Sequence, residues 1–271
     1  MKTALSLSVD KTKFGPVFFG GDLFNGLRYA KDLGYDGVEL SVRDPTLLNL
    51  QAIKNALDEL ALSVVTIGTG QSYIHDGFCF FSDDPAIVNS CAERVMGCVQ
   101  LAAAINAPYV TIGGIRGRLR EAGDRLKAES NMISGIMQCC RFAGENGVSI
   151  LLEPVNHYEV DTIYTVNEAI RLIKDIGAHN IKVLYDTYHV NIEEESRLSP
   201  IYGMGKMLGH VHFADNNRLP PGCGCFDFIE VMRALKHIEY TGYVCIEALP
   251  LPNEKAAAKR AKVFLDNLFL I

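Results

Sequence analysis

Four acidic or imidazole side chains stand at the ends of strand-like segments in the second half of this 271-residue sequence. Glu153 follows LL, Asp186 follows VLY, His212 lies in HVHFA and Glu247 follows VCI. A carboxylate in an apolar segment is costly to bury unless it is paired or bound to a cation. We therefore interpret the four residues as the ligands of one metal ion, with buried ion pairs as the alternative.

The predicted ligand set contains three carboxylates, one imidazole and no thiolate. Oxygen-rich sets favour hard or borderline divalent ions over structural zinc. We expect one divalent ion, with Mn²⁺ as the first choice and Mg²⁺ or Co²⁺ as alternatives. Cys223 and Cys225 lack the spacing of zinc ligands, and we expect all eight cysteines to be free thiols.

Such a centre can remove a proton from the carbon beside a ketone. A metal that binds the ketone oxygen and the neighbouring hydroxyl stabilises the enediolate that forms. Glu153 and Glu247 lie on strands that are not neighbours, so one can remove the proton and the other can return it on the opposite face, which inverts the centre. His189 and Arg218 lie just beyond strand ends and could donate hydrogen bonds to the ketone oxygen. The alternative for His189 is a surface histidine with no such role, and the alternative for Arg218 is an ion pair with Asp215.

Short strand-like runs alternate with longer helical ones along the chain. The predicted strands are 5–9, 37–42, 62–68, 109–113, 148–153, 181–186, 210–214 and 243–248, and the predicted helices are 22–33, 46–60, 86–105, 121–146, 166–176, 200–208, 226–237 and 254–270. Eight such units predict an α/β fold, a closed (β/α)₈ TIM barrel in one domain over residues 1–271, whose active site lies at the C-terminal strand ends. An open doubly wound sheet is less favoured, because no G-x-G-x-x-G follows the first strand.

The composition limits the partners that we expect. Hydrophobic residues make up 48% and charged residues 21%, which indicates an extensive core. The net charge of -6 argues against a nucleic-acid surface. The sequence shows neither an apolar run of membrane-spanning length nor a signal peptide, so we expect no membrane partner and a cytoplasmic location.

The strand-end motifs resemble those of the sugar phosphate isomerase/epimerase superfamily of xylose isomerase-like TIM barrels, in the ketose 3-epimerase branch. The resemblance covers almost the whole chain and rests on LLEPVNHYE, KVLYDTYHVNIEE, HVHFADNNRLPPGCGCFDF and VCIEALPLP. It implies a small-molecule keto-sugar substrate and a homo-oligomer, either a dimer or a tetramer. It also implies that Glu153 and Glu247 are catalytic residues as well as metal ligands, and that Asp186 and His212 are further ligands. The implied substrate contacts are His189, Arg218 and Glu159.

Three other segments, GYDGVELSVRDP, TIGTGQSYIHDGFCF and IGGIRGR, together with PPGCGCFDF at the end of the third motif, are similar to those of 5-keto-L-gluconate epimerases of inositol catabolism. This resemblance implies an isomerase of the EC 5.1.3 type that converts a keto-sugar acid into D-tagaturonate. A substrate carboxylate needs a cationic or hydrogen-bonding clamp. The candidates are Gln71, Arg43, Arg116 and Arg118, with surface ion pairs as the alternative for the arginines.

Three features bear on the pocket. His157 and Tyr185 depart from the pattern of such relatives, and we expect them to reshape the pocket. Residues 69–85 are predicted to form a long loop that either acts as a lid or packs the barrel mouth.

The same residues are also compatible with other functions. A free-ketose 3-epimerase or a hydroxypyruvate-type isomerase would share every ligand. An endonuclease IV-like barrel would need more histidines and a basic face than a chain with seven histidines and a net charge of -6 offers. A non-catalytic sugar-binding barrel is the alternative of another class, and the presence of both acid/base glutamates argues against it.

Overall fold

The computed structural model describes residues 1–12 and 15–270. Within these ranges, eight parallel strands form a closed barrel in chain order, and the last strand pairs with the first. The strands are β1 (Lys2–Ser8), β2 (Gly37–Ser41), β3 (Ser63–Gly68), β4 (Tyr109–Ile112), β5 (Ser149–Leu152), β6 (Ile181–Asp186), β7 (Leu208–Phe213) and β8 (Tyr243–Ile246). The predicted TIM barrel is confirmed. Lys13, Phe14 and Ile271, which the predicted domain includes, lie outside the described residues.

Helices connect the strands, and their apolar faces pack against the barrel to form the main core. The α-helices of the described ranges are α1 (Leu23–Asp32), α2 (Leu50–Leu60), α3 (Gly70–Asp76), α4 (Pro85–Ala104), α5 (Arg125–Glu145), α6 (Val166–Ile176), α7 (Thr187–Glu193), α8 (Ser199–Met204), α9 (Phe228–His237) and α10 (Glu254–Phe269). None of these helices combines the length and the hydropathy that crossing a membrane requires.

The ends of α6 illustrate how local sequence fixes a helix. The Thr165 side chain accepts the N–H of Glu168, and the Glu168 side chain accepts the N–H of Thr165, which forms a capping box. The helix ends at Gly177, which adopts φ 69°. Glycine is suited to this left-handed position because it has no Cβ. The predicted bounds of this helix are therefore confirmed.

Two short helices lie where the sequence predicted none. Residues 69–85 were expected as a loop, but α3 occupies the first part of this segment, and α7 follows β6 directly. Each helix has only seven residues. That length is too short for an apolar repeat to stand out in the sequence.

Other boundaries differ by a few residues. The helices α2 and α5 begin after the capping residues Asn49 and Asp124, later than the predicted starts. Gly209 falls between the predicted helix 200–208 and the predicted strand 210–214, but it lies inside β7. A Cβ at this position would come within 2.5 Å of Leu151 Cδ2, so close strand packing explains the glycine.

All eight cysteines are free, as predicted, and six of them are buried. Burial raises the pKa of Cys98 to about 12 and that of Cys79 to about 11. Thiols with such pKa values stay protonated at neutral pH and are poor nucleophiles.

Parallel pairing brings the ends of β5 to β8 together at one end of the barrel. Asp186 is the register partner of His212, and His212 is the partner of Cys245. Glu153 and Glu247 directly follow β5 and β8. The strand order therefore places four ionisable side chains around one point.

Candidate active site

Four side chains, Glu153, Asp186, His212 and Glu247, form a compact cluster at the C-terminal end of the barrel, which we call the cage. One ligand atom of each lies within 4.8 Å of the other three. His212 Nδ1 is 3.7 Å from Glu153 Oε1, 3.6 Å from Asp186 Oδ2 and 3.7 Å from Glu247 Oε2. The four ligands expected from the sequence are thus brought together.

The cage fits a divalent cation. Among the described residues, Asp186 Oδ2 and His212 Nδ1 are buried and have no hydrogen-bond partner, although nearly all buried polar atoms have one. Their separation of 3.6 Å is too long for a hydrogen bond. It is the spacing expected of two donors that each lie about 2.1 Å from a shared ion. The cage is therefore a buried group of carboxylates and imidazole that could hold one metal ion.

The close approach of the buried carboxylates in the cage also indicates a site for a cation. Burial raises the pKa of Glu153 well above its ordinary value, and repulsion from Glu247 raises it further. Burial also disfavours the charge on Asp186, but nearby histidines and an arginine outweigh this effect and hold its pKa at about 2. For His212, burial lowers the pKa, but Glu39 and Glu247 outweigh burial and raise it. The excess negative charge in the cage is what a bound cation would neutralise.

Asp186 divides its two oxygens between the backbone and the cage. Oδ1 accepts hydrogen bonds from the backbone N–H groups of Tyr188 (2.6 Å) and His189 (3.3 Å) at the start of α7. Oδ2 remains for the cage. Because Asp186 caps α7, this helix fixes the orientation of the carboxylate.

Arg218 lies beside the cage and is buried. Its Nη1 donates to Glu159 Oε1 at 2.6 Å, and its Nη2 is 3.7 Å from Glu247 Oε2. The guanidinium also packs over the ring of Tyr188, 4.7 Å from the ring centroid. Burial lowers the pKa of Arg218, but Glu159 and Glu247 outweigh burial and raise it above its ordinary value. The residue therefore brings a permanent positive charge to the cage.

The loop after β7 fixes the position of this arginine. The alternative drawn from the sequence was that the Asp215 carboxylate pairs with Arg218. Instead, this buried carboxylate accepts backbone N–H groups from four residues of the loop: Asn216, Gly222, Gly224 and Phe226. Asp215 therefore orders the loop, and the guanidinium of Arg218 is left to contact Glu159.

His189 is buried beside the cage and is not a surface histidine. Asn156 Nδ2 lies 2.7 Å from His189 Nδ1 and also donates to Glu159 Oε1, so Nδ1 is the acceptor. The ring proton is then on Nε2, which is 3.9 Å from Glu153 Oε1. Burial lowers the pKa of His189 and favours the neutral ring. His189 can thus donate one hydrogen bond beside the cage.

A cavity of about 330 Å³ adjoins the cage. Glu153, His189, His212, Arg218 and Glu247 line its floor, while α3 contributes Gln71, Tyr73 and Ile74, and the segment after β5 contributes Tyr158, Glu159 and Val160. Gln71 Oε1 is buried and has no hydrogen-bond partner in the part of the chain that the structure describes. The start of the 69–85 segment therefore forms one wall of the cavity, and its role as a lid stays a prediction.

A sequence model of the xylose isomerase-like TIM barrel family matches residues 27–268. This chain belongs to that family.

Two proteins that resemble this chain over most of its length are sugar epimerases. A 3-dehydro-D-guloside 4-epimerase of Escherichia coli (strain K12) is 28% identical over 253 residues, which are 90% of this chain and 94% of the relative. A ketose 3-epimerase of Arthrobacter globiformis is 29% identical over 241 residues, which are 86% of this chain and 81% of the relative. The prediction of an isomerase that acts on carbohydrates is confirmed.

A solved structure shares the fold of this chain. The crystal structure of the D-allulose 3-epimerase from Methylomonas sp. in complex with D-allulose has a TM-score of 0.82 at 22% identity, and the match covers 98% of this chain and 97% of that one. At this level of identity, the likeness supports the xylose isomerase-like barrel fold.

The three candidate arginines occupy different environments. Arg118 lines the cavity, and its Nε donates to the carbonyl oxygen of Glu159. Arg116 is fully buried and donates to the carbonyl oxygens of Ile112, Glu153 and Ile163, so it supports the backbone. Arg43 is bound to Asp76. We therefore keep Arg118, and neither Arg116 nor Arg43, as a candidate substrate contact.

Two expected pocket residues lie elsewhere. Tyr185 is buried, and its hydroxyl donates to the carbonyl oxygen of Arg197. His157 binds Glu193, and its ring lies 4.0 Å from the ring of Tyr158. Neither is among the residues that line the cavity. His157 therefore contacts a cavity residue, Tyr158, from outside.

Three residues near the cage were missed from the sequence. Glu39 Oε2 lies 2.9 Å from His212 Nε2, Asn156 binds His189, and Tyr158 lines the cavity mouth. Glu39 stands in the strand GVELS and meets the same criterion as Glu153, a carboxylate in an apolar run, so that criterion could have found it.

Replacement of Arg116 by Ala should lower the free energy of unfolding by about 3 kcal/mol, because three buried carbonyl oxygens lose their donor and a cavity opens. Urea unfolding followed by circular dichroism measures the change. Arg118→Ala is the matched control and should cost less than about 1 kcal/mol, because its side chain is partly exposed. Equal losses in the two variants would contradict a structural role for Arg116.

Proposed function

We propose that this protein is a metal-dependent epimerase that inverts the carbon beside the ketone of a keto-sugar acid, in the manner of a 5-keto-L-gluconate epimerase that forms D-tagaturonate. The observation that carries the proposal is the cage, in which two glutamates from non-neighbouring strands adjoin one metal-binding point and one cavity. The similar sugar epimerases support the reaction type. A pathway role in inositol catabolism, a cytoplasmic location and a homo-oligomeric state stay predictions.

Glu153, Asp186, His212 and Glu247 are the proposed metal ligands, and Mn²⁺ is the proposed ion, with Mg²⁺ and Co²⁺ as alternatives. A divalent ion in this cage supplies Lewis-acid polarisation of the ketone, which makes the neighbouring C–H more acidic. The three carboxylates and one imidazole of the cage suit such an ion.

Glu153 and Glu247 are the proposed acid and base. One carboxylate takes the proton from the substrate carbon, which leaves an enediolate, and the other, in its protonated form, returns a proton to the opposite face. The reverse reaction exchanges the two roles.

His189 and Arg218 are the proposed donors to the oxygen that becomes negative during the reaction. His189 offers Nε2–H, because Asn156 occupies its Nδ1. Arg218 offers a charged guanidinium that Glu159 and Tyr188 hold in place. Donors that are fixed before the reaction stabilise developing charge without reorganisation.

The substrate carboxylate is proposed to bind between Arg118 and Gln71, both of which line the cavity. Arg118 uses its Nε for a backbone contact, and its Nη1 lies 3.9 Å from Glu121 Oε1 on the protein surface. Its Nη2 can bind a carboxylate. A keto-glycoside is the second candidate substrate. The exposed Tyr158 and Ile74 at the cavity wall offer apolar surface to an aglycone, and one similar protein is a 3-dehydro-D-guloside 4-epimerase.

Proton exchange in D₂O with added Mn²⁺, followed by NMR, tests the substrate. The panel is 5-keto-L-gluconate, D-tagaturonate, D-fructose, D-tagatose and a 3-keto-glucoside. We expect metal-dependent deuterium at the carbon beside the ketone, with its epimer, for the keto acids. Arg118→Met should lower kcat/KM for the keto acids by about 10- to 100-fold, the loss expected when one charged contact is removed, and should leave any ketose activity unchanged.

Exchange of the keto-glucoside with no exchange of the keto acids would instead favour the second candidate. Bound metal with no exchange of any of these compounds would contradict the epimerase proposal itself.

The variants Glu153→Gln and Glu247→Gln test the two-base mechanism. Each should lower epimerisation by about 10³-fold, within the range that general acid–base catalysis contributes. Each should also still exchange the proton of one epimer, and the two variants should act on opposite epimers, because the remaining carboxylate serves one face. Solvent-deuterium incorporation into each pure epimer measures this.

Glu193→Gln is the matched control, since Glu193 contacts His157 outside the cavity; it should keep near-normal turnover. Loss of exchange from both epimers in one glutamine variant, with normal exchange in the other, would contradict the two-base mechanism and indicate a single base.

A further inference from the structure

A buried carboxylate lies beside the cage and has no part in the proton transfer proposed above. Glu39 is in β2 and is almost fully buried. Its Oε1 accepts a hydrogen bond from the Ser6 hydroxyl at 3.1 Å, and its Oε2 lies 2.9 Å from His212 Nε2. A second histidine nitrogen, His210 Nε2, is 3.5 Å from the same oxygen. A carboxylate so costly to bury needs a function or a set of partners.

The contact between Glu39 and His212 determines which ring nitrogen can bind a metal. An ionised carboxylate only accepts hydrogen bonds, so the short contact requires the proton of His212 to be on Nε2. In the neutral ring, Nδ1 then carries the free lone pair. Nδ1 is the atom that lies 3.6–3.7 Å from the three cage carboxylates, and it forms no hydrogen bond with any residue that the structure describes. The opposite tautomer would direct an N–H into the cage.

A second reading of the same side chains is a second metal site. Donor atoms of Glu39, His210, His212 and Cys245 also lie within 4.8 Å of one another. However, the two oxygens of Glu39 are already engaged by Ser6 and His212. A metal there would require His212 to lose the proton that the carboxylate binds. The contacts therefore favour a carboxylate that orients a ligand.

We propose that Glu39 is a positioning residue, which holds His212 as the Nε2–H tautomer with Nδ1 towards the cage and so sets the affinity of the protein for its metal ion. The inference rests on the metal cage of the proposed function. It makes Glu39 of β2 a support for the ligand His212 of β7, whereas the ligands themselves come from β5 to β8. Carboxylates that bind the second nitrogen of a histidine ligand fix its tautomer and raise its basicity.

The test is Zn²⁺ binding to the full chain, measured by competition with a chromophoric chelator, in wild type and in Glu39→Gln. Glutamine keeps the shape of the side chain and loses its charge, and its NH₂ group can donate to Nε2 and favour the wrong tautomer. We expect the affinity for Zn²⁺ to fall by about 10- to 100-fold, with one ion bound per wild-type chain.

Ser6→Ala is the matched control. It removes the hydrogen bond to Oε1 and leaves the contact between Oε2 and His212, so we expect the affinity to change by less than about threefold, a loss of under about 0.7 kcal/mol. Thermal unfolding of each metal-free variant shows whether the fold is intact. A folded Glu39→Gln variant with wild-type affinity would overturn the proposal, as would two Zn²⁺ ions per wild-type chain of which Glu39→Gln loses one.

A spectroscopic measurement on the wild type tests the tautomer of His212 even if Glu39→Gln does not fold. Zn²⁺ is diamagnetic, so ¹⁵N NMR of the histidine side chains can be recorded on the loaded wild type. We expect His212 with a protonated Nε2 and a metal-bound Nδ1; the reverse assignment would overturn the proposal. Zn²⁺ binding with the expected tautomer but no epimerisation of any keto-sugar would refute the proposed function and leave this inference standing.

Discussion

The mutual repulsion of carboxylates buried at one end of the barrel is the constraint on which the rest of this site depends. Glu153, Asp186 and Glu247 converge there because parallel strands end together, and Glu39 lies close behind them. Their charges cannot all be buried without compensation. His212 and Arg218 supply part of it, and a divalent cation would supply the remainder. Metal binding and folding of this region are thus expected to be coupled.

The surrounding structure holds each ionisable group by one atom and leaves another for chemistry. Asp186 uses Oδ1 to cap α7, which leaves Oδ2 for the cage. His189 uses Nδ1 to accept from Asn156, which leaves Nε2–H for a substrate oxygen. His212 uses Nε2 to bind Glu39, which leaves Nδ1 for a metal. Fixing these groups in advance avoids a cost of reorganisation during the reaction.

Much of this arrangement could be predicted from the sequence, because a barrel strand both buries its residues and directs its C-terminal end to the active site. Glu153, Asp186, His212 and Glu247 each stood at such an end. The strand-end criterion did not distinguish the two arginines of the loop after β4. Arg116 and Arg118 are two residues apart, and a single turn decides which one is buried in the protein and which one lines the cavity. That turn ends at Gly117, with φ 75°, and buries Arg116.

The short elements α3 and α7 were missed for a related reason. Helices of seven residues are too short to be stable on their own in water, so tertiary contacts must supply much of their stability. Asp186 was interpreted as a ligand, and its second role as the cap of α7 was not visible in the sequence. Asn156 binds a ring nitrogen of His189, which follows the next strand, and such a pair leaves no local signal in the sequence. Glu39 does leave one, a carboxylate in an apolar strand, but that signal does not show that its partner is His212.

The most direct test of the central claim is anomalous diffraction from crystals of this protein grown with Mn²⁺. The account predicts one strong peak per chain, about 2.2 Å from Glu153, Asp186, Glu247 and His212 Nδ1. A peak among Glu39, His210 and Cys245 would contradict it. So would the absence of any peak in the cage in crystals saturated with Mn²⁺, because the buried carboxylates would then be balanced by protein charges and protons alone.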